Sequence, residues 1–137
     1  KLDPAFDATN LRQGVADLET GLPMLMSAGV RTGRLSLERF VAGTSTNPAK
    51  LFGLYPQKGT IAVGSDADLV VWNENETRII DGSKMHSRCD YSPYDGFEVT
   101  GWPKWTLSRG DIIVEDGQVA GALGRGGLVP RGPHQMI

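Results

Sequence analysis

The chain lacks what several function classes require. Only one cysteine, Cys89, occurs in 137 residues, so no disulfide can close within the chain and a reducing compartment, the cytoplasm, fits best. Apolar runs are too short to span a bilayer, and Lys1 to Asn10 is polar and mixed, with no secretory signal. Basic residues form no stripe with interleaved aromatics, and the net charge is -2, which gives no nucleic-acid footprint. Histidine is scarce, with only His86 and His134. No internal repeat is present. Hydrophobic residues at 39% and charged residues at 22% nonetheless exclude disorder throughout and fit one ordinary domain. The chain does not begin with Met, and its first residues read as the middle of a loop, as expected for a fragment of something longer.

The first part of the chain reads as helical. Asp17 is placed to cap a helix reaching about Ala28, with Leu18, Leu22, Leu25 and Met26 on one face and Gly29 at the left-handed end position. Pro23 lies inside that span and predicts a kink or restart. Ser36 predicts a second N-cap, with Glu38 in the first turn and Leu37, Phe40 and Val41 as the apolar face. Thr44 to Pro48 predicts a break, with Asn47 capping a short third helix that Gly53 closes.

From Leu54 onward, glycines alternate with β-formers. The pattern predicts strands at Thr60–Val63, Asp68–Trp72, Arg78–Ile80, Glu98–Thr100, Trp105–Arg109, Asp111–Glu115 and Gln118–Ala120. Asn73 to Glu76 reads as a hairpin turn, and Asp116-Gly117 is the strongest hairpin signal. Ser83 to Gly96 reads as a long loop. Gly121 to Ile137 is a glycine- and proline-rich tail. Its Leu128-Val129-Pro130-Arg131-Gly132 resembles an engineered protease-cleavage linker, the alternative being a native extended arm.

Little catalytic chemistry is visible. A two-metal hydrolase needs several converging His, carboxylate or modified Lys ligands, whereas His86 and His134 are isolated and read as surface or loop histidines. Cys89 and His86 are three residues apart, but no third orienting group accompanies them, and a small packed side chain is the plainer reading of the thiol. Asp66 and Asp68 would share a face on a strand and so invite an acid/base pairing. Gly64-Ser65-Asp66-Ala67 favours a tight turn with local bonds to amides instead. Gly121, Gly124, Gly126 and Gly127 lack the context of a phosphate loop. Trp102, Trp105, Tyr91 and Tyr94 have no basic surround and read as sheet packing or a subunit contact, not a base-stacking platform.

Several segments in order carry a resemblance. They are Gly33-Arg34-Leu35-Ser36-Leu37-Glu38-Arg39-Phe40-Val41, Thr44 through Pro56, and Gly59 through Trp72. His86-Ser87-Arg88 through Gly96, Gly101-Trp102-Pro103 and Thr106 through Gly110 follow. Together they resemble the hydantoinase/dihydropyrimidinase family of the amidohydrolase superfamily, over about residues 11–131.

That resemblance implies an α/β parent, a (β/α)8 barrel plus a β-sandwich built from both chain ends. Residues 1–55 would be the last barrel helices, 56–120 the C-terminal sandwich strands, and 121–137 an extended tail able to reach a neighbouring subunit of a tetramer. It implies a parent that opens cyclic amides such as hydantoins and dihydropyrimidines. Two divalent metals, usually zinc, would be bridged by a carboxylated lysine and supply the hydroxide that attacks the ring carbonyl. The metal ligands and the proton-shuttling aspartate would precede this chain, which would contribute no catalytic or metal-binding residue. Asp3 and Asp7 lack the expected context for that aspartate. A family Pro-Asn-Gly, whose Asn backbone meets the substrate ring, aligns with Arg12-Gln13-Gly14, making the Gln13 and Gly14 backbone a substrate-binding candidate. The departure leaves the ring open among hydantoin, dihydropyrimidine and allantoin-like compounds. The rest of the barrel could be a separate chain. Two other readings stand beside the enzyme fragment: a non-catalytic dihydropyrimidinase-like adaptor of the cytoskeleton, and a free-standing β-rich interaction module. An isolated chain of this kind should expose sheet edges and an apolar helix face.

Overall fold

The computed structural model of the chain describes residues 15–88 and 91–137. Two helical rods are followed by a four-stranded antiparallel sheet and an extended tail. The first rod begins with α1 (Gly21–Leu25) and continues through a π-helical turn at Met26–Val30. It starts three residues later than Asp17 as a cap predicts, because Asp17 shapes the approach: its carbonyl accepts from the N–H groups of Thr20 and Gly21. Pro23 therefore falls in the first turn, where a missing N–H costs nothing, and no kink is needed. The wider turn carries the helix past Gly29, so Gly33 at φ 73° takes the left-handed end position.

The second rod starts as predicted. The Ser36 side chain accepts from the Arg39 N–H at 3.3 Å and opens α2 (Leu37–Val41). The predicted break at Thr44 to Pro48 is absent. A π-helical turn at Ala42–Thr46 leads directly into α3 (Asn47–Leu51). Asn47 is helical, not a cap, and its N–H reaches back to the Ala42 carbonyl. The widened turn reorganises the ladder where Pro48 cannot donate, so the rod survives its proline. Gly53 at φ 68° ends it, as predicted.

The sheet order is β1 (Leu69–Ile79), β2 (Glu98–Ser108), β3 (Asp111–Glu115), β4 (Gln118–Val119). Two pairs of predicted short strands are thus two long ones. Asn73 to Glu76 is a bulge rather than a hairpin turn: four residue steps from Asn73 to Thr77 face two on β2, from Trp102 to Thr100. The turn chemistry is present within the exposed bulge, with the Asn73 side chain accepting from the Asn75 N–H and donating to Glu76. Asp116-Gly117 forms the predicted turn between β3 and β4, with φ of 46° and 79°. Arg109-Gly110 repeats it between β2 and β3. Thr60–Val63 is irregular.

The core sits where the first rod crosses the sheet. Ile80, Val99 and Trp102 are its buried centre, with Met24, Met85 and Tyr94 packed against them. Gly101 at φ 101° lets β2 approach the Met26 side chain, and the Ser27 hydroxyl accepts from the Thr100 N–H at 3.0 Å. Phe40 of the second rod meets Trp72 edge-on, ring centroids 5.9 Å apart. Among the described residues no helix is long and apolar enough to cross a membrane.

Candidate functional site

The segment from Pro56 to Leu69 carries the densest charge chemistry of the chain. The Lys58 ammonium reaches both Asp66, at 2.8 Å, and Asp68. Asp68 also accepts from the Arg109 N–H at 2.8 Å. Asp66 accepts from the Gln57 amide, and its own N–H donates to the Gln57 carbonyl. The Ser65 hydroxyl donates to the Pro56 carbonyl at 2.7 Å. Asp66 and Asp68 therefore precede β1, and both pair with one cation. They form a structural clasp, which supports the turn reading over the acid/base pair.

The electrostatics agree. The hydrogen bonds that Lys58 donates to Asp66 and then to Asp68 push its pKa up. Partial burial by itself raises the Asp68 carboxyl, but Lys58 and the Arg109 N–H outweigh it, and the net shift is down. A carboxyl held low in the fold stabilises above its unfolded pKa and loses that contribution as pH falls through the folded value. A lysine held high stabilises below its unfolded pKa and loses it as pH rises through the folded value. The clasp is thus intact from the ordinary carboxylate range up to the ordinary lysine range. Asp68→Asn should lower stability at neutral pH by about 1 kcal/mol, a charged-bond value reduced for solvent screening. Unfolding midpoints measured against pH check this: the gap between wild type and variant should shrink in acid below the carboxylate range.

The clasp closes one end of a cleft between the second rod and the sheet. This cavity, of about 460 Å³, is lined mainly by Leu22, Met26, Phe40, Val41, Leu69 and Trp72. Thr46 donates to the Gly59 carbonyl at 2.8 Å along its rim. The lining is apolar and carries no converging set of catalytic groups; Asp68 at its margin is already committed to Lys58.

The other predicted candidates separate. His86 lies half-exposed against Glu19: its Nδ1 is 3.0 Å from one carboxylate oxygen, and its backbone N–H donates to the other at 2.7 Å. His134 lies in the exposed tail. Gln13, Gly14 and Cys89 lie outside the described residues. Among the described residues no three His, Cys, Asp or Glu side chains are grouped to hold a metal ion, so they do not fit a two-metal centre. Trp102 and Tyr94 belong to the core, and Trp105 donates to Glu115 at 3.2 Å, as the packing reading requires. Sequence reasoning missed Lys58, Arg109 and Glu19, because each acts across a turn or between elements. The only local hint was a lysine eight residues before an acidic pair.

The fold finds counterparts in known proteins. Residues 7–113 match the Amidohydrolase family, and the chain belongs to it. Within that family it is similar to hydantoinases. It is 47% identical to the L-hydantoinase of Paenarthrobacter aurescens over 125 residues, 91% of this chain and 27% of that protein. It is 44% identical to the D-hydantoinase of Geobacillus stearothermophilus over 131 residues, 96% of this chain and 28% of that protein. Its structure superposes on the D-hydantoinase (dihydropyrimidinase) from Thermus sp. with a TM-score of 0.85 at 45% identity, covering 90% of this chain and 27% of that one. The chain thus spans about a quarter of the length of the relatives it matches.

Proposed function

We propose that this chain is the C-terminal share of a cyclic-amide hydrolase of the hydantoinase/dihydropyrimidinase type. The observation that carries the reading is 47% identity maintained over 91% of the chain. The relatives bear the name hydantoinase, which favours an enzyme over the cytoskeletal adaptor. In this reading residues 1–55 end a (β/α)8 barrel, 56–120 supply strands to a β-sandwich, and 121–137 form the tail. The backbone at Gln13 and Gly14 borders the ring substrate. Two divalent metals, zinc by family resemblance, and the catalytic groups belong to sequence outside this chain. The assembled parent is a cytoplasmic tetramer.

Physical features support a missing partner structure. The chain exposes 10052 Å², whereas a compact monomer of this length exposes about 7000 Å². Leu22, Leu37 and Val41 line the cleft yet are 36%, 55% and 47% exposed. A longer polypeptide containing this chain should open hydantoin and dihydrouracil and lose that activity on chelation, while the 137-residue chain alone should do neither. Product formation followed by chromatography checks this. A folded longer polypeptide that opens neither ring would favour the adaptor.

A further inference from the structure

Three Asp-Gly steps occur in the sequence, at Asp81-Gly82, Asp95-Gly96 and Asp116-Gly117. Such a step carries its own reagents: the glycine nitrogen can attack the preceding side-chain carboxyl carbon, because no Cβ blocks the approach. The fold treats the three differently. The Asp81 carboxylate accepts from the Ser83 N–H at 3.1 Å and the Ser83 hydroxyl at 2.6 Å, and it pairs with Lys84 at 2.9 Å. Ser83 and then Lys84 hold its pKa below the ordinary value, and an ionised carboxylate is a poor electrophile. The Gly82 N–H is turned away and donates to the Asp95 carboxylate. That bond occupies Asp95 in turn, and the Gly96 N–H donates to the Ile80 carbonyl at 2.9 Å. Both steps are therefore closed at nucleophile and electrophile alike.

Asp116-Gly117 is open. Asp116 is exposed in the β3–β4 turn, and its N–H donates to the Lys104 carbonyl at 2.8 Å, which anchors the turn from behind. Among the described residues, neither the Asp116 carboxylate nor the Gly117 N–H has a hydrogen-bond partner. Glu76 engages Nε and Nη2 of Arg78, and the remaining Nη1 lies 3.5 Å from where a Gly117 Cβ would stand. Arg78, Asp116 and Gly117 line one cavity of about 200 Å³. A fixed cation beside that nitrogen favours the negative charge that ring closure builds there.

We propose that Asp116-Gly117 is a self-modifying step, which closes to a cyclic imide and reopens at the other carbonyl as isoaspartate. The Gly117 nitrogen bonds to the Asp116 side-chain carboxyl carbon. One carboxyl oxygen leaves as water, carrying the proton of the nitrogen and one proton from solvent. Water then adds at the Asp116 main-chain carbonyl and breaks its bond to the Gly117 nitrogen. The main chain now runs through the former side chain, the old main-chain carbonyl is a free carboxylate, and the solvent proton is returned. No oxidant or cofactor takes part. The turn gains one backbone carbon and no longer matches the Glu115–Gln118 and Val114–Val119 pairing.

The test follows isoaspartate at each Asp-Gly step of the whole 137-residue chain during warm incubation, with and without denaturant. Peptide mass spectrometry locates it, and methyl transfer from S-adenosylmethionine by an isoaspartyl methyltransferase counts it. In the folded chain position 116 should convert about tenfold or more faster than positions 81 and 95. In denaturant the three rates should converge, because only the fold distinguishes them. Asp116→Glu keeps the charge at an exposed position but needs a larger ring, and it should remove the main signal. No preferential conversion at 116 in the folded chain, a preference that persists unchanged in denaturant, or a full signal from Asp116→Glu would each overturn the proposal.

Discussion

Replacing Trp102 with alanine should lower unfolding stability by about 3–5 kcal/mol, the range for emptying a buried aromatic site. Trp102 is 5% exposed and completes the buried cluster with Ile80 and Val99. Its ring also receives the Arg78 guanidinium at 4.8 Å from the centroid, a contact truncation removes. The described core contains few fully buried apolar side chains, so little neighbouring mass can collapse into the void. Small folded domains hold only about 5–15 kcal/mol in all, so the loss should be visible as a large fall in the denaturation midpoint. Trp102→Phe is the discriminating companion. It keeps a ring over Arg78 and most of the volume, and should recover more than half of the loss. If alanine and phenylalanine behave alike, the ring is not the keystone of the core.

Gly59→Ala should be the second most damaging change, at about 2–5 kcal/mol from left-handed strain and overpacking together. Gly59 has φ 81°, and an added methyl would collide with the Ala49 side chain and come within 3.1 Å of the Ser45 carbonyl. Both obstacles belong to the second rod, whose backbone cannot yield cheaply. Gly64 serves as the control, with φ 91° and open space around it. Gly64→Ala should carry the backbone cost alone, about 1–3 kcal/mol. Thermal unfolding of the two variants separates the contributions, and equal effects would show that the loop does not press on the rod as described.

Local chemistry was legible, and long-range chemistry was not. Ser36 and Asp116-Gly117 announced themselves because a cap and a tight turn are satisfied within three or four residues. Arg109-Gly110 was missed as a turn because a non-glycine at φ 51° has no local advantage. The carboxylate of Asp68, 41 residues away in sequence, accepts the Arg109 N–H and holds that conformation. The same carboxylate explains the candidate site: Asp66 and Asp68 read as turn residues, but the ion pairs to Lys58 that fix them were not legible. Asn73 to Glu76 shows the reverse. Its turn signal was real, but the sheet absorbed it as a bulge because Thr77 and Thr100 re-establish pairing beyond it, hydroxyl to hydroxyl at 3.0 Å. Family membership was legible because motif order survives in a piece of a protein, whereas catalytic geometry does not.

The π-helical turn at Ala42–Thr46 sets the angular phase of the second rod. Phe40 and Ala49 are both buried at 5% exposure. In an unbroken α-helix two residues nine apart point to opposite sides, about 180° from each other. One surplus residue in the wide turn reduces that divergence to about 80°. The rod thereby buries its first half against Trp72 and its second half against the Gly59 loop. The stretch therefore tolerates a change of count that an unbroken helix would not: deleting one residue of the wide turn restores an α-helix with Phe40 and Ala49 eight apart, still about 80° from each other, so both keep their facing.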